Sequence, residues 1–231
     1  MGRDSVTGVP PRSVDDALES PEDSRRLYAR WADTYDSGFV QPLDYRYPER
    51  VAAVFVDVAG ELDGPILDVG CGTGLVGLAL AGATNGDVHI DGIDISTAMI
   101  DRAARRQRAD GSPVYHRLIE ADLTQPIDIP DGTYAGLVSA GTFTHGHLGP
   151  DDLGGLLRLG RHGAVFVIGI NAEHYGTRGF AARLDADVGS GAIVALELRQ
   201  IPIYGPDSPR ADDLAMVAVF RRGRTDAAAP T

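Results

Sequence analysis

The stretch "ILDVGCGTG", Ile66 to Gly74, constrains this chain more than any other. A short apolar run enters a loop holding Gly70, Gly72 and Gly74, and a helical pattern leaves it. Glycine at such points lets the backbone turn tightly and lets a ligand come close. Asp94 stands twenty residues after Gly74, at the end of the next strand-like run, "VHIDGIDIS". A carboxylate there can accept hydrogen bonds from both ribose hydroxyls of a nucleoside. A tight turn beside a solvated acid is the plainer account, but it leaves the coincidence of strand, loop and acid unexplained.

Around this loop the pattern alternates. "PILDVG", "VHIDGIDIS", "SPVYHRLIEAD", "TYAGLVSAG" and "GAVFVIGIN" read as strands. Helical segments lie between some of them, from Ser96 to Arg108 and at "DDLGGLLRLG". Strands alternating with helices imply a parallel sheet covered on both faces. The end differs: "GAIVALELRQIPIYG" and "DLAMVAVFRRG" predict an antiparallel hairpin at the sheet edge. Before the sheet, "SPED" has the residues of a helix start, and Leu27, Trp31 and Tyr35 recur every four residues. A second helix follows Pro48, with Val51, Val54, Phe55 and Val58 on its stripe. This divides the chain into a disordered tail over 1–19, one domain over 20–223 with amino-terminal cap helices, and a loose tail over 224–231.

Composition narrows the partners. The formal net charge is −12, and an acidic surface repels phosphate backbones, so a nucleic-acid partner is not expected. Cys71 is the one cysteine, which excludes a disulfide framework and cysteine-based zinc sites. The chain has no lysine, which removes Walker-type phosphate loops and Schiff-base chemistry. No stretch resembles a signal peptide or approaches the ~18 apolar residues of a membrane span. A cytoplasmic protein without a membrane partner is the expectation.

The ligand of the loop follows from its details. A nicotinamide site wants a third glycine where this chain has Leu75. Asp68, an acid before the loop, suits a ligand with an ammonium group better than one with a pyrophosphate. S-adenosylmethionine has no phosphate and carries an amino acid. Asp68 with "GCGTG" resembles the first motif of class I S-adenosylmethionine-dependent methyltransferases, and "GIDIS" resembles the second. "EADLT" resembles the third. The resemblance covers roughly Trp31 to Ile170. It implies a Rossmann-like α/β fold, a seven-stranded mixed sheet with an antiparallel C-terminal hairpin and an N-terminal helical cap. It also implies a donor site built from Asp68, Gly70, Gly72, Gly74, Asp94, Ile95, Met99, Asp122, Leu123 and Ser139. Asp94 would hold the ribose, Asp122 the adenine amino group, and Leu123 would flank the ring. The helix "YARWADTYD" resembles one that closes over the donor, which adds Tyr35; packing alone explains its stripe equally well. One departure is Ala135, where members often carry Asp.

The block "GTFTHGHLGP", Gly141 to Pro150, resembles that of the methyltransferase-like proteins of the Williams–Beuren syndrome region. It follows the fourth strand, at the end where open α/β sheets bind ligands. His145 and His147 have three readings: a metal pair lacking a third ligand, rings bonded to the loop backbone, or the wall of an acceptor pocket. His145, nearer the strand, is the preferred base, with His147 as the second candidate. His174 and Tyr175 follow the fifth strand and qualify by position alone. The expected activity is methyl transfer to a small-molecule acceptor. The alternatives are a nicotinamide-dependent oxidoreductase and a non-catalytic binding or regulatory protein.

Overall fold

The computed structural model describes residues 35–84, 88–144 and 147–224. The expected amino-terminal tail, the helix carrying Trp31 and nearly all of the carboxy-terminal tail lie outside them. Seven strands form one sheet in the order β3-β2-β1-β4-β5-β7-β6. They are β1 (Ile66–Val69), β2 (Ile90–Asp94), β3 (Arg117–Glu120), β4 (Tyr134–Phe143), β5 (Gly160–Asn171), β6 (Ile193–Pro202) and β7 (Leu214–Arg222). The first five are parallel, and β7 runs antiparallel to both β5 and β6. The hairpin is therefore present, with its second strand inside the sheet and β6 at the edge. The strand order reverses between β1 and β4, which opens a crevice at their carboxyl ends.

Alternation along the strands sorts the core into two layers. Ile66, Val138, Val165 and Val167 pack with Tyr47, Val51 and Phe55 of α1 (Tyr47–Ala59) and with Val76 and Leu80 of α2 (Leu75–Ala83). Leu67, Leu137, Phe166 and Ile168 point the other way. They pack with Leu153 and Leu156 of α4 (Leu153–Leu157) and with Phe180 and Leu184 of α6 (Phe180–Gly189). Between these come α3 (Thr97–Ala103) and α5 (Ala172–Thr177). No helix among the described residues is long and apolar enough to cross a membrane.

Three boundaries differ from the sequence pattern. The helix expected to reach Arg108 ends at Ala103, because the chain folds back through a Gln107–Pro113 bridge and turns at Gly111, φ 84°. Of "SPVYHRLIEAD" only Arg117–Glu120 pairs as a strand, since Val114 and Tyr115 are spent on the core. The fourth strand runs on through Phe143, after a register shift beyond Ser139 that includes Gly141 at φ 86°.

Gly136 shows how closely α1 seats on the sheet. A Cβ there would stand 2.5 Å from Cζ of the Phe55 ring. Gly136→Ala should cost ~1–3 kcal/mol by overpacking, read by urea denaturation. Combined with Phe55→Ala it should cost less than the two single changes summed, because the clash is then gone.

Candidate functional site

The crevice floor is the loop between β1 and α2. Gly70, Gly72 and Gly74 have φ of 67°, 53° and 89°, a region that side-chain-bearing residues avoid. A Cβ on Gly70 would strike Thr142 Oγ1, and one on Gly74 would crowd the Tyr115 ring and Arg106. At Gly72 a Cβ would meet nothing within 4 Å, so this residue faces open space.

The loop is fastened from three sides. Gly70 N–H and Cys71 N–H donate to Ile93 O at 2.8 and 3.0 Å. Ser139 and Thr142 donate their hydroxyls to Val69 O at 2.9 and 3.1 Å. Arg106 Nε donates to Thr73 O at 2.8 Å. Asp94 ends β2 and accepts from Gly72 N–H and Ser96 N–H, both at 2.9 Å. Its carboxylate thus stands at the loop's rim, and burial raises its pKa. Ser96 Oγ in turn accepts from Met99 N–H and caps α3.

Asp68 lies beneath the loop with no exposed surface. Its Oδ2 accepts from Gly77 N–H at 3.1 Å and from the Tyr115 hydroxyl at 2.7 Å. Its Oδ1 is buried with no partner among the described residues. Desolvation pushes its pKa up to about 7, against the Tyr115 and Gly77 hydrogen bonds, and the Asp94 charge adds to the rise.

The remaining candidates separate. Asp122 is partly buried, accepts from Thr124 N–H at 2.9 Å and follows β3 on the same side of the crevice. Leu123 packs against the core layer shared with α4 and α6, Ile95 is half-buried beside Asp94, and Met99 is buried in α3. The Ser139 side chain is fully buried and donates to Val69 O, so its hydroxyl braces the loop. His145 lies outside the described residues. Desolvation pushes His147 down to about 4, with the neighbouring His174 as the smaller cause, so its ring is neutral near pH 7. His174 is buried, its Nε2 lies 3.0 Å from Leu148 O and its ring packs on Phe180, so it belongs to the core under the loop, while Tyr175 stacks on Phe180 from a half-buried position.

Sequence reasoning missed two features here. Tyr115 and Arg106 hold the loop from residues that no periodicity marks. Three further rings also extend the expected Tyr35 into an aromatic wall by the end of β4: Tyr35, Phe39 and Tyr45 follow one another at 5.2 Å between centroids, and Tyr204 lies 5.6 Å from Tyr45. Tyr45 Oη would be 3.2 Å from a Cβ on Gly141, which places it above the end of β4. The pair "DYRY" at Asp44 to Tyr47 was the available signal.

Asp68 carries a pH test. Its pKa is 3.8 unfolded and about 7 folded, so its contribution to stability is full below pH ~4 and is lost as pH rises through 7. His147 acts oppositely, 6.5 unfolded and about 4 folded, with its contribution lost as pH falls through 4. Asp68→Asn should therefore gain stability relative to the parent as pH rises from 4 to 7.5. Urea denaturation across that range checks the sign.

A model of the methyltransferase domain matches residues 66–161, from β1 into β5. No curated protein matches the chain. Solved structures share the fold at low identity. Magnesium protoporphyrin IX methyltransferase from Synechocystis PCC 6803, with bound SAM, is 17% identical, at a TM-score of 0.58 over 91% of this chain and 95% of that one. The [4+2]-cyclase SpnF is 15% identical, at 0.61 over 88% and 97%. A protein studied for conversion of a disulfide bond into a thioacetal group during echinomycin biosynthesis is 21% identical, at 0.57 over 81% and 86%. The crevice has room for S-adenosylmethionine: a sharp glycine loop open above Gly72, an acid at the loop's rim and, beneath it, a buried carboxylate oxygen with no partner among the described residues. Residues 66–161 are thus similar to a methyltransferase domain, on a fold shared with the solved structures above.

Proposed function

We propose that the protein transfers a methyl group from S-adenosylmethionine to a small-molecule acceptor. The observation that carries the reading is Asp94 at the end of β2, bonded to Gly72 N–H at the loop's rim. When bound, the donor supplies an electrophilic sulfonium methyl. The chain's own part is to hold and orient. Gly72 leaves room over the loop, Asp94 takes the ribose, Asp122 and Leu123 take the adenine, and Asp68 favours the cationic end from below. Ile95 and Met99 support the nucleoside side, and Tyr35 closes the aromatic side.

The acceptor would sit between the aromatic wall and the block after β4. Tyr45 is its ceiling, and His145 is the preferred base. His147, neutral and desolvated, shapes the loop. Alignment supplies much of the rate in such transfers, because the methyl is already activated. The net charge of −12 argues against a nucleic-acid acceptor. The narrower likeness to the Williams–Beuren-region proteins rests on Gly141–Pro150 and belongs to this proposal. A second reading, a protein that keeps the donor pocket for another purpose, is favoured by SpnF, a cyclase with the same fold.

Calorimetry should show S-adenosylmethionine binding to the parent, weakened by ~1.5–3 kcal/mol in Asp94→Ala, the range for a hydrogen bond to a charged group. Tight NAD binding in its place would overturn the reading. A metabolite screen should release S-adenosylhomocysteine with one acceptor class; donor binding without any turnover would favour the second reading. With that acceptor, Tyr45→Ala should raise KM while leaving donor affinity unchanged.

A further inference from the structure

At the end of the sheet opposite the glycine loop, three side chains converge that methyl transfer does not use. His89 and Asp91 lie two residues apart at the start of β2, and strand geometry turns both to one side. His116 comes just before β3, and its N–H donates to Ile90 O at 2.8 Å. That bond draws its ring against His89, with centroids 4.0 Å apart. His89 Nε2 lies 3.1 Å from Asp91 Oδ1, and His116 Nδ1 lies 3.8 Å from the same oxygen. Each residue offers one ligand atom, and all three atoms fall within 4.8 Å of one another.

We infer that His89, Asp91 and His116 bind one divalent transition ion of the zinc class, with solvent completing the coordination. Two imidazole nitrogens and a carboxylate oxygen suit zinc, cobalt or nickel, whereas magnesium and calcium take oxygen. Metal–ligand bonds of ~2.0–2.2 Å in a tetrahedron separate ligand atoms by about 3.4 Å. The two pairs that share Asp91 Oδ1 stand at 3.1 and 3.8 Å, either side of that spacing, and the third pair is within 4.8 Å, so turning the exposed His116 ring is the adjustment the site needs. The carboxylate is the fixed member. The Asp91 side chain is 7% exposed, and its Oδ2 accepts from the buried Tyr134 hydroxyl at 3.0 Å. Such an outer hydrogen bond aims a carboxylate and holds its charge at the ligand oxygen. The two rings are 44% and 69% exposed, which leaves an entry path from solvent.

The ion has a structural consequence. β3 is an edge strand held by β2, and the ligands come from both sides of that pair. A bound ion ties the start of β3 to β2, and because it binds the folded chain it raises stability with concentration. A hydrogen bond between His89 and Asp91, with His116 merely stacked beside it, is the metal-free account of the same contacts.

The test uses the full chain without an affinity tag, stripped with chelator, in a buffer that does not bind metal. Zn²⁺ titration should saturate at one ion per chain and raise the thermal midpoint, and Co²⁺ should give visible d–d bands. His89→Ala and His116→Ala should each abolish these signals. Tyr134→Phe should weaken Zn²⁺ binding ~10–100-fold. Circular dichroism and S-adenosylmethionine affinity should match the parent in the two alanine variants, which shows that they are folded. The donor measurement also stands apart: failure of methyl transfer would leave the metal result intact. Absence of saturable binding to the parent would overturn the site, as would binding or stabilisation that persists when His89→Ala and His116→Ala are combined in one chain.

Discussion

A carboxylate without solvent organises the centre of this molecule. Asp68 sits inside the core layer shared with α1 and α2, one residue before β1 ends, where an unpaired charge is costly. Two donors offset that cost, and both reach from elsewhere in the chain. Gly77 N–H belongs to the first turn of α2, and the Tyr115 hydroxyl belongs to the segment before β3. Strand, helix and the approach to the edge strand thus meet at one oxygen. The meeting is tight: Tyr115 occupies the space that a Cβ on Gly77 would need, and it crowds the same position on Gly92. Glycine at 77 is a packing requirement even though it stands in a helix, where it costs ~1 kcal/mol relative to alanine.

The loop above inherits this order. Its carbonyls and amides are bonded to β2, to β4 and to Arg106, so little chain entropy remains to be lost when a ligand arrives. A cation bound beside the loop would relieve the burial of its two acids. Asp68 and Asp94 both have raised pKa values, and the charge of Asp94 contributes to the shift at Asp68. Two acids near one loop disfavour a pyrophosphate and favour an ammonium or a sulfonium. Leu75 in the place of a third glycine points the same way from sterics.

Local features were legible in the sequence because they are local. The loop, Asp94 and the alternation of strands and helices follow from spacing within some thirty residues. What escaped depends on distant segments meeting. Ser139 reads as a small crevice residue, but its hydroxyl is claimed by Val69 O from the neighbouring strand. His174 reads as an acceptor contact until Phe180 and Leu148 are seen to enclose it. His89 and His116 are twenty-seven residues apart, and only the parallel pairing of β2 with β3 brings their rings together. The insertion of β7 between β5 and β6 likewise has no period of its own.

Specificity for an acceptor lies in what the fold does not dictate. A cyclase and a methyltransferase share this architecture at comparable TM-scores, so the sheet alone chooses neither reaction. The choice falls to chain outside the common strands and helices. In this chain such segments include Phe39 to Tyr45, which pairs through Tyr45 with Tyr204, and the turn that carries His147. Arg50 of α1 donates to Pro202 O and Tyr204 O at 2.7 and 2.9 Å, which ties the end of β6 to the aromatic wall. The wall is therefore anchored to the antiparallel hairpin, while the donor loop is anchored to the parallel half. A planar or apolar acceptor gains most from such a wall, because rings offer it area at little cost in side-chain freedom. Under the proposed function the two halves of the sheet would divide the work, one holding the donor and the other facing the acceptor.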